Sequence, residues 1–345
     1  MSGMNPIAPM ESRLTRHLTS ELKRQRFDRA KRFVDDIVRH GEGGDAAHRA
    51  NARWLKFLCS RTAAQSDTWP KHVDLLLEFA AAFGLPPAER RRFIALSWMG
   101  QLWRVACFRD LMKGPPELVA RLTQVTGWEH FERCRRDGAG LMILPVHGHF
   151  SRLVQPYLRH RGHDGLSVGL TTGSLEARGF ATTAAKQFEL ARQLHAAKHV
   201  LARGGIAFNL PDAFWNLDNS RSVEFFGRQR WIATGFAELA LTTGAHVLPI
   251  SYRFSPRGFF VLEFGAPFHV LGPQSSQDER VDALVAQYAS FLRDEWRRYP
   301  WNIQWTHLQQ YCQLPAGDPG TPGERASGPP PSEARLGGFD EQFAR

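Results

Sequence analysis

Cysteine is scarce and scattered. Cys59, Cys107, Cys134 and Cys312 are the only four in 345 residues, and they show no Cys-x-x-Cys spacing. That excludes a disulfide framework and a cysteine-built zinc site, and it points to reduced, structural thiols. Acidic residues are outnumbered, 34 Asp and Glu against 44 Lys and Arg, which leaves a formal charge of +10. Long apolar runs are missing as well. The most hydrophobic helical window, residues 93–108, is shorter than a bilayer requires and carries Gln101 and Arg104, so no transmembrane helix is expected. The opening MSGMNPIAPMESR lacks the apolar stretch of a signal peptide, and no internal repeat is visible. No helix-turn-helix, zinc or RNA-sheet signature accompanies the basic charge, so nucleic acid is not an expected partner. An anionic lipid or membrane surface, or an acidic carrier protein, suits such a field better.

With 43% hydrophobic residues the chain can bury a large core. Residues 12–136 read as successive helices. Leu14, Leu18 and Leu22 recur at four-residue spacing, and Phe33, Val34, Ile37 and Val38 make a second apolar stripe. Gly84 with Pro86-Pro87, and Gly114 with Pro115-Pro116, mark helix ends and new starts. From Gly140 onward strands alternate with helices, the strands falling at 141–146, 166–170, 206–210, 223–226, 246–254 and 259–264. Leu190, Leu194, Ala197 and Leu201 mark one face of an intervening helix, and another over 233–243 stops at Gly244. The pattern predicts an α/β fold, a mixed, largely parallel sheet flanked by helices and preceded by an α-helical N-terminal region. Three segments follow: a helical extension over 1–68, an α/β domain over 69–313 and a disordered Pro/Gly-rich tail over 314–345.

Chemistry is concentrated where the apolar run 141–146 breaks into His147-Gly148-His149. Ligand sites of open α/β sheets lie beyond the carboxyl ends of buried parallel strands, so His149 is placed to meet a substrate, with His147 beside it. Strand-end histidines bonded to backbone are the plainer reading of both. A zinc set of His147, His149, His160 and His163 lacks a companion acid or cysteine at convincing spacing, so no metal is expected. Asp212 follows the 206–210 strand and would reach the same edge, although an Asx-turn or helix cap explains it equally well. In VEFFGRQRWIATG, Gly227 forms a tight turn with Arg228 and Arg230 beside it, and Thr234 opens the next helix as its cap. Helix amides and those arginines together could hold an anionic head group or a phosphate.

Four stretches, LMILPVHGHF, LARGGIAFNLPDAF, VEFFGRQRWIATGFAELALTTGAHVLPISYR and YPWNIQW, occur in an order and spacing that resembles one family. Over residues 71–308 the chain is similar to the lauroyl/myristoyl acyltransferases of lipid A biosynthesis, within the lysophospholipid acyltransferase superfamily. The resemblance implies an acyltransferase that moves a fatty acyl group from an acyl carrier protein or acyl-CoA to a lipid or small-molecule hydroxyl or amine, with no cofactor. In that family a histidine and, four intervening residues later, an Asp or Glu form the catalytic pair. His149 matches the histidine, but the acid position falls on Val154; counted from His147 it falls on Arg152. The expectation is therefore His149 as general base with Asp212, which matches an acidic position near the family's site, as the substitute acid. Glu176, Asp164 and Asp218 are weaker substitutes. Arg192 matches basic residues that meet phosphate or phosphopantetheine in the resembled enzymes, and with His147, Phe226, Gly227, Arg228 and Thr234 it makes the expected substrate-binding set. The N-terminal anchor of the lipid A enzymes is replaced by helical residues, so the protein is expected in the cytoplasm, at most peripheral on the inner membrane. The alternative is a catalytically impaired relative that binds lipid or a carrier protein.

Overall fold

The computed structural model describes residues 73–168, 183–212, 219–255 and 260–314. The extension over 1–68 with its apolar stripes, Glu176, Asp218 and the tail beyond Leu314 lie outside the described residues. Helices come first: α1 (Val73–Ala82), α2 (Pro87–Lys113) and α3 (Pro116–Arg121). Pro87 and Pro116 each open a helix, where the missing amide would have no intrahelical partner in any case. The reading of this region as wholly helical needs one correction. Strand β1 (Thr123–Thr126) precedes α4 (Trp128–Arg136); it is four residues of Thr-Gln-Val-Thr, too short and polar to show as an apolar run, and it exists by parallel pairing with β8 (Phe260–Phe264).

The remaining elements follow the alternation expected, with the strand Arg228–Ala233 as an addition. They are β2 (Leu141–Pro145), α5 (Val154–His160), β3 (Leu166–Val168), α6 (Thr183–Ala202), β4 (Ile206–Asn209), β5 (Ser220–Phe225), β6 (Arg228–Ala233), α7 (Gly235–Thr243), β7 (His246–Phe254), α8 (Gln277–Arg298) and α9 (Trp305–Gln313). Six strands form one sheet in the order β1-β8-β7-β2-β4-β3, with every neighbouring pair parallel except β7 with β8. The fold is thus a mixed, largely parallel α/β sheet flanked by helices. Strand β2 sits inside it with all five residues buried. Leu141 and Ile143 face a core shared with Phe208, Leu248 and Ile250, while Met142 and Leu144 face the opposite one with Ala207, Val247 and Leu284. Burial on both faces is why this strand reads as an unbroken apolar run.

Strands β5 and β6 form a separate antiparallel ribbon. β6 begins Arg-Gln-Arg and so hides from an apolar-run reading. Phe225 pairs with Arg228, which leaves Phe226-Gly227 as a two-residue loop with φ of 53° and 74°. Two consecutive left-handed residues give the turn that suits strand twist. Phe226 holds this uncommon conformation with its ring packed 4.4 Å from Phe83 and 4.9 Å from Phe225, centroid to centroid.

Past β2 the chain is stitched to the turn that joins α8 to α9. His149 N–H donates to the Asn302 carbonyl at 2.9 Å, Gln304 N–H donates to the His147 carbonyl at 3.3 Å, and Gln304 Nε2 donates to the Gly148 carbonyl at 2.9 Å. Gly148 is glycine because Asn302 fills its side-chain space: a Cβ there would stand 2.6 Å from Asn302 Nδ2. Gly148→Ala must push Asn302 off its bond to the Tyr252 carbonyl. We expect a loss of about 1–3 kcal/mol, seen as a lower melting temperature; a variant melting with the wild type would contradict this packing.

Candidate functional site

Parallel pairing sets Ile143 opposite Phe208, so the residues four steps further on each strand, His147 and Asp212, leave the sheet at the same carboxyl edge. They meet there. His147 Nδ1 lies 2.5 Å from Asp212 Oδ1, and the His147 backbone N–H donates to Oδ2 at 3.2 Å. The carboxylate is sealed at 1% exposure, whereas the His147 side chain keeps 19%. An imidazole held by a buried acid on one nitrogen and still reachable from solvent can act as a proton acceptor.

The acid is supported from behind. Arg230, on β6, is completely buried; its Nη2 donates to the Asp212 carbonyl oxygen at 2.8 Å and lies 3.6 Å from Oδ2. Its guanidinium packs against the rings of both Phe225 and Trp296, 4.7 Å and 5.0 Å from their centroids. Burial alone would raise the Asp212 pKa. The charge and hydrogen bond of His147, with Arg230 and His307, overcome that and hold the carboxyl well below its usual range. Tyr288 Oη donates to the Pro145 carbonyl at 3.4 Å; burial, then the Asp212 charge, push that hydroxyl far up, so it stays protonated. His307, on α9, stacks on His147 with centroids 4.2 Å apart and planes 24° from parallel. Burial first, and then the charge of His147, press its pKa well below the usual histidine value.

The expected partnership of His149 with Asp212 is not what the structure brings together. β2 stops at Pro145, so His147 is the imidazole at the strand edge, and the stitching to Asn302 turns the chain inward before His149. His149 is 1% exposed, lies against Gly100 of α2, and neither ring nitrogen has a hydrogen-bond partner among the described residues. Val154, at the family's acid position, is buried in the core, and Arg152 is exposed. Asp164 is exposed ahead of β3. Arg192 lies exposed on α6. Arg228 donates to the carbonyls of Cys312 and Leu314 at 3.0 Å and 2.8 Å, so this guanidinium caps the carboxyl end of α9. Thr234 stands at the start of α7 without capping it by its side chain; the buried hydroxyl lies 2.7 Å from Glu238 and 3.2 Å from the Asn219 carbonyl. Phe226 and Gly227 form the β5–β6 loop. Arg230, expected with Arg228 to hold an anionic group beside the Gly227 turn, is instead buried against Asp212, and His307 is the member of the cluster that the sequence did not single out. His307 falls two residues beyond YPWNIQW.

Among the described residues, one group of three side chains has donor atoms close enough to share a metal ion: His147, Asp212 and His307, all within 4.8 Å of one another. The fit is poor. Ligands around an ion at bonds of about 2 Å stand roughly 3 Å or more apart, whereas His147 and Asp212 are at hydrogen-bond distance with the Arg230 cation beside them. A cleft of about 420 Å³ lined by Trp128, Phe131, Arg135, Arg161 and His163 lies elsewhere, next to the amino ends of β2 and β3. Two of its arginines are already engaged in the fold, Arg161 over the Trp128 ring and Arg135 on the carbonyls of Ala139 and Gly204.

Burial, and then the charge of Arg104, bring the His149 pKa down from 6.5 to about 3. The folded ring stays neutral where the unfolded ring takes up a proton. Its contribution to stability is therefore complete above pH 6.5 and is lost as pH falls toward 3, at up to about 1.4 kcal/mol per pH unit. Urea unfolding at pH 4.5 to 6.5 should show a flatter dependence in His149→Leu than in the wild type. Equal slopes would mean that the ring is not buried neutral.

Residues 52–306, roughly three quarters of the chain, match the family model of the bacterial lipid A biosynthesis acyltransferases. No curated protein matches the chain.

Proposed function

The chain belongs to the bacterial lipid A biosynthesis acyltransferases, and on that premise we propose that it carries a fatty acyl group from an acyl carrier protein or acyl-CoA to a hydroxyl or amine acceptor, with His147 as general base and Asp212 as its carboxylate. The observation that carries this reading is the 2.5 Å pair of His147 Nδ1 and Asp212 Oδ1 at the carboxyl edge of the sheet. With Nδ1–H donating to the carboxylate, Nε2 is left as the acceptor nitrogen. It takes the proton of the acceptor O–H or N–H as oxygen or nitrogen attacks the thioester carbonyl. The imidazolium that forms is balanced by ionised Asp212. Collapse of the tetrahedral intermediate breaks the C–S bond, and the departing thiolate takes the proton back from Nε2. Asp212 thus supplies from just past β4 what the Val154 position cannot.

The rest of the reading concerns partners. A formal charge of +10 favours an acidic carrier protein as donor and an anionic lipid surface as the place of work. Among the described residues no helix is long and apolar enough to cross a membrane. A water-borne acceptor fits that as well as a lipid does.

Hydroxylamine with lauroyl-CoA provides a test that needs no knowledge of the natural acceptor. Enzyme-dependent hydroxamate formation should vanish in His147→Gln, fall by on the order of 10⁴ in Asp212→Asn, as for loss of an orienting carboxylate elsewhere, and persist in His149→Leu. Loss in His149→Leu with retention in His147→Gln would move the base to His149. A wild type no faster than buffer would favour a relative that only binds.

A further inference from the structure

The pair of His147 and Asp212 fixes one edge of the imidazole but leaves its plane free to tilt about that bond. A second ring limits the tilt. His307 covers a face of His147 at 4.2 Å with planes 24° apart, which is a stack and not an edge contact. Stacked rings do not bridge through in-plane N–H bonds, so this contact leaves both nitrogens of His147 to Asp212 and to substrate. The backbone delivers His307 to this place in fixed register. Gln304, just ahead of α9, bonds through its N–H to the His147 carbonyl and through its side chain to the Gly148 carbonyl, Gly148 bridges Ile303, and His307 N–H donates back to the Gln304 carbonyl at 2.9 Å. The residues that hold the histidine segment therefore also carry the ring that covers it. His307 is itself buried and packed in the core with Trp305 and Leu308 as its neighbours on α9, so it has little freedom to move away.

We propose that His307 is a positioning residue for acyl transfer, a flat buried lid on His147 that holds the imidazole plane in line with Asp212 and presents the other nitrogen to the acceptor. This rests on His147 being the base. Two consequences follow from the stack. Positive charge formed on His147 lies over the π-face of a neutral ring, a favourable arrangement. Replacement by another flat ring retains the function, whereas removal of the ring does not.

The experiment compares wild type, His307→Ala and His307→Phe, with lauroyl-CoA and hydroxylamine as probes and near-ultraviolet circular dichroism as the check on folding. Loss of the lid should lower kcat about 100-fold in His307→Ala, the size expected of a misplaced catalytic group, with KM little changed. His307→Phe should recover most of that loss. In parallel, the far-downfield proton resonance of the His147–Asp212 bond should broaden in His307→Ala and stay sharp in His307→Phe. The resonance is read without turnover, so it tests the stack even if His147 is not the base. A folded His307→Ala with wild-type kcat and an unchanged resonance would overturn the proposal, as would a folded His307→Phe no better than His307→Ala. Should His307→Phe fail the folding check, the alanine variant decides alone, through kcat against KM and through the resonance.

Discussion

An ionised carboxylate buried as deeply as Asp212 needs positive charge and hydrogen-bond donors close at hand, because water is not there to provide them. Arg230 meets that need from inside the protein. Two aromatic rings hold its guanidinium, and it reaches the Asp212 main chain and carboxylate together. With the acid kept ionised, His147 has a fixed hydrogen-bond partner, and with a fixed partner its other nitrogen has a defined role. The order of dependence runs from the buried cation outward to the partly exposed imidazole. A neutral Asp212 would leave the imidazole without the charge that stabilises its protonated form.

The sheet and the C-terminal segment share the work of assembly. Parallel register between β2 and β4 brings the two strand ends level, which is how residues 65 positions apart come within hydrogen-bond reach. The turn through Asn302, Ile303 and Gln304 then closes over Gly148, a site with space for no side chain. The same turn sends His149 inward and sets His307 against His147. One stretch of chain thus decides which of the two neighbouring imidazoles stays accessible and which is sealed.

Much of this was legible from residues. Strands buried on both faces, such as β2 and β7, announce themselves as apolar runs, and Gly244 with φ of 70° ends α7 where expected. Asp212 was expected at the carboxyl edge because it follows the 206–210 strand, and it lies there beside His147. What stayed hidden is long-range or short-period. β1 is four residues whose only reason to be extended is β8, and β6 opens with two arginines, one of which turns inward. That His147 and not His149 meets Asp212 depends on β2 ending at Pro145 and on Asn302 intercepting the chain. A strand boundary uncertain by two residues moves an imidazole from the edge to the interior. No local pattern connects His307 to His147, 160 positions away.

Proton location is what everything at this site turns on, and neutron diffraction from deuterium-exchanged crystals near neutral pH observes it directly. Deuterium on Nδ1 of His147, directed at an ionised Asp212 Oδ1 with Nε2 bare, is the arrangement expected. Deuterium on Nε2 with Nδ1 bare beside a deuterated Asp212 carboxyl would contradict it, since the bare nitrogen would then be occupied by Asp212 and Nε2 would already carry its proton.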